Sequence, residues 1–333
     1  MKPVSRCLCV FLFVCLMTSV GCNRANDSAL AQAKAEAEAA RAEAAREKAE
    51  AKAVAAELAT LKQRADAAEG ELAKLKAPQS PPNPAVDSRK AAEWVLSIGG
   101  IVIVATGDKS IEVHGPEGKL PGEPFEIADI RLPGGNKVTN ENIRNISGLR
   151  SVVALHATSG NKLTEFSFLN GMNNLRFVNL LFTDVDDASL GYLKDCPKLE
   201  TLALGGMYQN HVTDDGIQKL KDMKFLVYLD ILGTRATDIG LGHIKGLSSL
   251  TYLAMGNHHV RSDITDAGLA NLAGMKKLET LIIANAGVTD AGLEHLKKLI
   301  NLKRLRLERL NVTEAGVASL KAALPNCKIE LIK

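Results

Sequence analysis

A strand-like pair, apolar-x-apolar, recurs through the C-terminal half of this 333-residue chain. It stands at Val178/Leu180, Leu202/Leu204, Leu229/Ile231, Leu253/Met255, Leu281/Ile283, Leu305/Leu307 and Ile329/Leu331, in steps of 24, 27, 24, 28, 24 and 24 residues. A second signature lies between the pairs: Val212-Thr213-Asp214-Asp215-Gly216-Ile217, Ile264-Thr265-Asp266-Ala267-Gly268-Leu269, Val288-Thr289-Asp290-Ala291-Gly292-Leu293 and Val312-Thr313-Glu314-Ala315-Gly316-Val317. A fixed period of this length builds a solenoid, because one unit cannot bury its own leucines and stacked units can. The period-2 pair suits a short strand with one buried face. The Thr-Asp pair reads as a helix start, both side chains accepting from N–H groups that have no partner within their own helix. Leu293, Leu296 and Leu299 then follow at helical spacing.

These units resemble the leucine-rich-repeat family, in particular its cysteine-containing-type subclass, which also occurs in F-box substrate receptors. The resemblance runs from about Ile130 to Lys333. It implies an α/β solenoid with a parallel concave sheet and convex helices. The position three after the second strand apolar, often a polar ladder in such proteins, reads Thr183, Met207, Thr234, His258, Ala286 and Leu310, which argues against a continuous ladder there. No F-box-like segment is present, and ubiquitin-ligase function is not implied.

The N-terminus has the form of a secretion signal. Lys2 and Arg6 precede an uncharged 14-residue run from Cys7 to Val20. That run is shorter than the ~20 residues a membrane span needs and matches a secretory h-region. It ends in Ser19-Val20-Gly21-Cys22, which resembles a bacterial lipobox and would make Cys22 the lipidated first residue of the mature chain. An ordinary signal peptide and an uncleaved anchor are the alternatives. Asn23, where an Asp would resemble an inner-membrane retention signal, points to the outer membrane of a bacterial envelope. Removing residues 1–21 takes away Lys2 and Arg6 and no acid, so the formal charge falls from +3 to +1. A near-neutral chain offers no electrostatic footprint for nucleic acid. Residues 22–27 form the lipidated N-terminus.

Residues 28–76 are rich in Ala, Glu, Lys and Arg, hold nine basic and nine acidic residues, and favour helix. In one heptad frame running from Leu30 to Leu75, thirteen of fourteen seam positions are apolar, Glu47 being the exception. The segment is therefore a spacer of either a single solvated helix or an oligomeric coiled coil through residues 30–75, with Leu58 to Leu75 its firmest part. At ~1.5 Å per residue it would reach roughly 73 Å. Pro78, Pro81, Pro82 and Pro84 make residues 77–88 a semi-rigid linker. Residues 89–129 read as an N-terminal cap on the repeats at 130–333: a short helix carrying Trp94, a break at Gly99-Gly100, then a hairpin through Thr106-Gly107-Asp108. After the last strand pair no separate C-terminal cap is expected.

Of the six cysteines, Cys196 and Cys327 lie in the repeats, five units apart. Strands spaced by ~4.8 Å put them far beyond disulfide reach, so two free, buried thiols are expected.

Strand residues that flank and separate the apolar pair face away from the core. This nominates Phe177, Asn179, Tyr228, Asp230, Tyr252, Ile282, Arg304 and Arg306 as a partner-binding surface. Tyr228 and Tyr252 occupy one position in successive repeats and should stack; aromatic residues near arginines are the composition of a protein-binding hot spot. The two long repeats carry insertions at residues 207–211 and 257–262, with His211, His258 and His259, but no thiol or carboxylate at metal-site spacing, and no metal or cofactor is expected. No phosphate loop, serine elbow or paired acid/base motif occurs, so the chain reads as non-enzymatic. The expected role is an anchored envelope protein that presents a protein-binding surface to an envelope or extracellular partner. The alternative is a structural envelope protein that assembles through its coil and contacts the cell wall, as the wall-linked murein lipoprotein does through a C-terminal lysine like Lys333.

Overall fold

A computed structural model describes residues 87–158, 163–206 and 211–333. Everything below concerns the compact unit Pro81–Lys333. The signal, lipobox, spacer and most of the linker, Cys22 included, lie outside the described residues, as do residues 207–210 of the first insertion.

The unit opens with helix α1 (Ser88–Ser97), capped by the Asp87 carboxylate, which accepts from the backbone N–H groups of Arg89 and Lys90. Its buried face is Ala91, Ala92, Val95 and Leu96. Gly100 follows where a Cβ would come within 2.8 Å of the carbonyls of Val95 and Arg131, so only glycine admits this close approach. Strands β1 (Ile101–Thr106) and β2 (Lys109–His114) form an antiparallel hairpin whose turn uses Gly107 at φ +58°. Strand β3 (Glu126–Arg131) pairs antiparallel with β1 and parallel with β4 (Ala154–His156). From there the ladder is parallel throughout: β5 (Phe177–Asn179), β6 (Thr201–Ala203), β7 (Tyr228–Asp230), β8 (Tyr252–Gly256), β10 (Thr280–Ala284), β12 (Arg304–Glu308) and β13 (Lys328–Ile332). These strands form one 11-stranded sheet. A second, two-stranded sheet joins β9 (Ser262–Thr265) to β11 (Ala286–Gly287). The architecture is an α/β leucine-rich-repeat solenoid.

The register puts Ile130, Leu155, Val178, Leu202, Leu229, Leu253, Leu281 and Leu305 in one line across the sheet, all fully buried. Two more units than the strand pairs above thus join the stack, at Ile130/Leu132 and Leu155/Ala157. A short helix or 3-10 turn follows each parallel strand of the sheet from β4 to β12, among them α2 (Asp187–Leu190), α3 (Asp214–Gln218), α4 (Asp238–Ile244), α5 (Asp266–Ala270), α6 (Asp290–Leu296) and α7 (Glu314–Ala323). No helix among the described residues is long and apolar enough to cross a membrane.

The Thr-Asp signature works differently from the local cap that its spacing suggests. Thr213, Thr237, Thr265 and Thr289 do cap their own helices, accepting from the N–H two residues on at 3.2–3.3 Å. The aspartate reaches forward into the next repeat. Asp187, Asp214, Asp238, Asp266 and Asp290 accept from the backbone N–H (2.7–2.8 Å) and the hydroxyl (2.6–2.7 Å) of Thr213, Thr237, Thr265, Thr289 and Thr313 in turn. The hydrogen bonds from Thr313 hold the Asp290 carboxyl below its usual range.

This inter-repeat ladder also explains the glycine of the signature. A Cβ on Gly240 would stand 2.5 Å from Asp214 Oδ1, and Gly216, Gly268, Gly292 and Gly316 meet the preceding aspartate more closely still. Where the preceding repeat has Glu165 instead of an aspartate, the glycine position is Ser189, which forms a capping box with Asp186. Asn140 makes a one-step version of the ladder earlier, accepting from Thr164 N–H at 3.0 Å and donating to its hydroxyl at 2.8 Å.

Cys196 and Cys327 are free and buried. Burial, followed by the neighbouring Asp195 charge, pushes the Cys196 thiol up to about 12. Since the thiolate is the reactive form, Cys196 should stay unmodified by a thiol reagent such as Ellman's reagent at pH 8 in the folded protein and react fully in denaturant. Stoichiometric modification of Cys196 before unfolding would contradict its burial.

Candidate functional site

The helix-free face of the sheet carries two lines of side chains. Strand pairing sets Phe177, Thr201, Tyr228, Tyr252, Thr280, Arg304 and Lys328 in the first. Asn179, Ala203, Asp230, Ala254, Ile282, Arg306 and Glu330 form the second. All eight nominated residues therefore share one face, in register, over six adjacent strands.

Tyr228 and Tyr252 stack with ring centroids 4.0 Å apart and planes within 10°. They retain only 5% and 9% of their exposure, so they act as a rigid floor more than as a protruding patch. A second ring contact lies two strands before Tyr228, where His156 packs on Phe177 at 4.5 Å. His156 was not among the nominated residues; its repeat lacks a helix signature, although the Leu155/Ala157 pair continues the period. Thr280 and Ile282 are half-buried and Arg304 is exposed.

Asn179 and Asp230 occupy the same line and do the same backbone job. Asn179 Oδ1 accepts from Leu181 N–H at 3.1 Å, and Asp230 Oδ1 accepts from Leu232 N–H at 2.9 Å. Asn179 is buried and neutral. Asp230 is partly buried, and burial pushes its carboxyl up to about 6, only partly offset by the Leu232 N–H and by His258.

Near the C-terminal strands, Glu308 is buried and engages His258 Nδ1 at 3.2 Å and the Arg306 guanidinium. Burial raises the Glu308 carboxyl, but the His258 hydrogen bond and the charges of Arg306, His258 and Arg309 outweigh it and hold it below its ordinary value. Arg309 adopts φ +49°, rare for a residue with a side chain, and donates to the His258 carbonyl at 2.6 Å. Asn257 Oδ1 accepts from His259 and Val260 N–H at 2.8 and 3.1 Å. The second insertion is thereby fastened at both sides before it enters β9.

The three histidines named from the insertions do not come together around one centre: His211 pairs through its backbone with Asp186, and the His258 side chain pairs with Glu308. Among the described residues no group of three or more His, Cys, Asp or Glu stands close enough to hold a metal ion.

Two internalins of Listeria monocytogenes are similar in structure. Internalin C2 shares 22% identity over 62% of this chain and 80% of its own, with a TM-score of 0.49. A second internalin, inlF, shares 17% over 58% of this chain and 64% of its own, with a TM-score of 0.35. No protein-family model matches the chain, and no curated protein does.

Proposed function

We propose that this chain is a non-catalytic binding protein of a bacterial cell envelope, anchored through lipid on Cys22, that presents the helix-free face of its repeats to a protein partner. The observation that carries this reading is the pair of side-chain lines on that face. They combine a stacked tyrosine floor, a half-buried Ile282 and an exposed Arg304, held in register by parallel strands. Rigid scaffolds of this kind supply shape, and a few central side chains supply most of the affinity.

One experiment tests both halves. The full chain is expressed in a bacterial host and its detergent-phase partitioning is compared with that of Cys22→Ser; the anchored protein should partition into detergent and the variant should not. Crosslinking in intact cells is then repeated with Ile282→Glu/Arg304→Glu, which alters the face without opening the core. A crosslinked protein lost from that variant supports the reading. Identical crosslinks from both chains sink it.

The heptad frame at residues 30–75 favours a second, compatible reading, in which the chain assembles into homo-oligomers and touches the cell wall. Sedimentation of the full chain, with and without Leu58, Leu61 and Leu72 changed to Ala, decides it: a single monomeric species from the unaltered chain sinks this reading.

A further inference from the structure

We propose that Asp230 is the seat for an arginine side chain of the protein partner, on the helix-free face at β7. This deepens the binding reading above and rests on it.

Asn179 shows that the backbone bond at this position needs only an amide, since it makes the same turn as Asp230 with no charge. At Asp230 the chain keeps a carboxylate that burial disfavours. One oxygen is used by Leu232 N–H, and Oδ2 has no hydrogen-bond or ion-pair partner among the described residues. The His258 charge acts on this carboxylate, but the backbone turn itself gains nothing from the charge that Asn179 does not supply without it.

The surroundings are small. Ala203 and Ala254 flank Asp230 in its own line, in register on the two adjacent strands. The carboxylate lies over Gly205, where a Cβ would come within 3.0 Å of Oδ1 and 3.2 Å of Oδ2, and where Leu181 closes in from the other side at 3.0 Å. A carboxylate set among methyl groups and a bare backbone suits a guanidinium, which is planar, weakly hydrated and able to give two parallel hydrogen bonds to a carboxylate; an ammonium is more strongly hydrated and loses more on entering such a place. Further along the face Arg306 is paired with Glu308 and Lys328 with Glu330, while the exposed Arg304 disfavours a second basic residue there. The fitting partner segment has one central arginine with neutral or acidic flanks.

The test selects twelve-residue peptides from a random phage-displayed library on the immobilised full chain. In parallel, binding to Asp230→Asn and to Ile282→Glu is measured. The expected result is enriched peptides that share an arginine and bind Asp230→Asn at least ~10-fold more weakly, the scale of one charge-assisted pair. Synthesis with citrulline in place of that arginine should lose the same factor on the unaltered chain and nothing further on Asp230→Asn. Peptides that Ile282→Glu weakens but that show no arginine preference, and bind Asp230→Asn undiminished, overturn this assignment and leave the binding face standing. Peptides indifferent to both variants overturn the assignment and the face together. Asp230→Asn keeps the bond to Leu232, as Asn179 does to Leu181, so loss of folding does not confound the comparison.

Discussion

Gly240→Ala should destabilise the repeats by about 2–4 kcal/mol, although the same change in an ordinary helix interior stabilises by roughly 0.5–1 kcal/mol. The new methyl would stand 2.5 Å from Asp214 Oδ1. That oxygen is not free to move: it accepts from Thr237 and Gly240 N–H, each at 2.8 Å, while Oδ2 accepts from the Thr237 hydroxyl at 2.6 Å. Displacing the carboxylate costs hydrogen bonds to an ionised acceptor, which are the strong ones. In the background of Asp214→Ala the obstruction is gone, and the nearest remaining neighbour, the Ala236 Cβ, is at 3.4 Å. There Gly240→Ala should be neutral or stabilising by up to about 1 kcal/mol. Urea denaturation of the four proteins in this cycle measures the coupling, which should be about 3 kcal/mol. Equal penalties in both backgrounds would mean that the glycine serves something other than the ladder.

Asp230→Asn should make the folded protein more stable at neutral pH, by about 2–3 kcal/mol at most. The folded carboxyl titrates at about 6 against an ordinary value of 3.8, with burial the main cause and His258 the charged group acting on it. The sign follows from proton binding. Well below pH 3.8 the group is neutral in both folded and unfolded chains, and the two proteins differ little. As pH rises from about 4 to about 6, the unfolded chain gives up its proton while the folded chain still holds one, so the unaltered protein loses stability relative to the variant. Above about 6.5 the gap is constant. Denaturation midpoints of both proteins between pH 3.5 and 7.5 read this directly, and a difference that does not change with pH would show that the carboxyl is not desolvated. The prediction sharpens the inference about arginine: the residue whose charge weakens the free protein is the one expected to strengthen the complex.

Much of the scaffold was legible before any coordinates. The period of the apolar pairs placed Val178, Leu202, Leu229, Leu253, Leu281 and Leu305 in one buried line, because a solenoid turns sequence spacing into spatial register. The same logic put Tyr228 beside Tyr252. Other features escaped for identifiable reasons. A Thr-Asp pair before a helix looks like a local cap, and one sequence position cannot reveal that Asp214 serves Thr237 in the following repeat. The copies at residues 185–190 and 236–241 depart from the consensus, the first at Asp186 and Ser189 and the second at Ala236, and were hidden by it. β9 and β11 are too short to show a period of their own. The burial of the tyrosines and the state of Asp230 depend on what neighbouring strands place over them. A face can be read from alternation, whereas exposure and charge cannot.

The aspartate ladder has a direction. Each carboxylate belongs to one repeat and completes the helix start of the repeat that follows, so the dependence runs from N- to C-terminus. Peeling away a C-terminal repeat leaves behind an aspartate that water satisfies at little cost. Peeling away an N-terminal one leaves a threonine N–H and hydroxyl that water satisfies as readily. During synthesis each emerging unit meets a neighbour whose acceptor is already in place, and the chain is its own template in the order in which the ribosome delivers it.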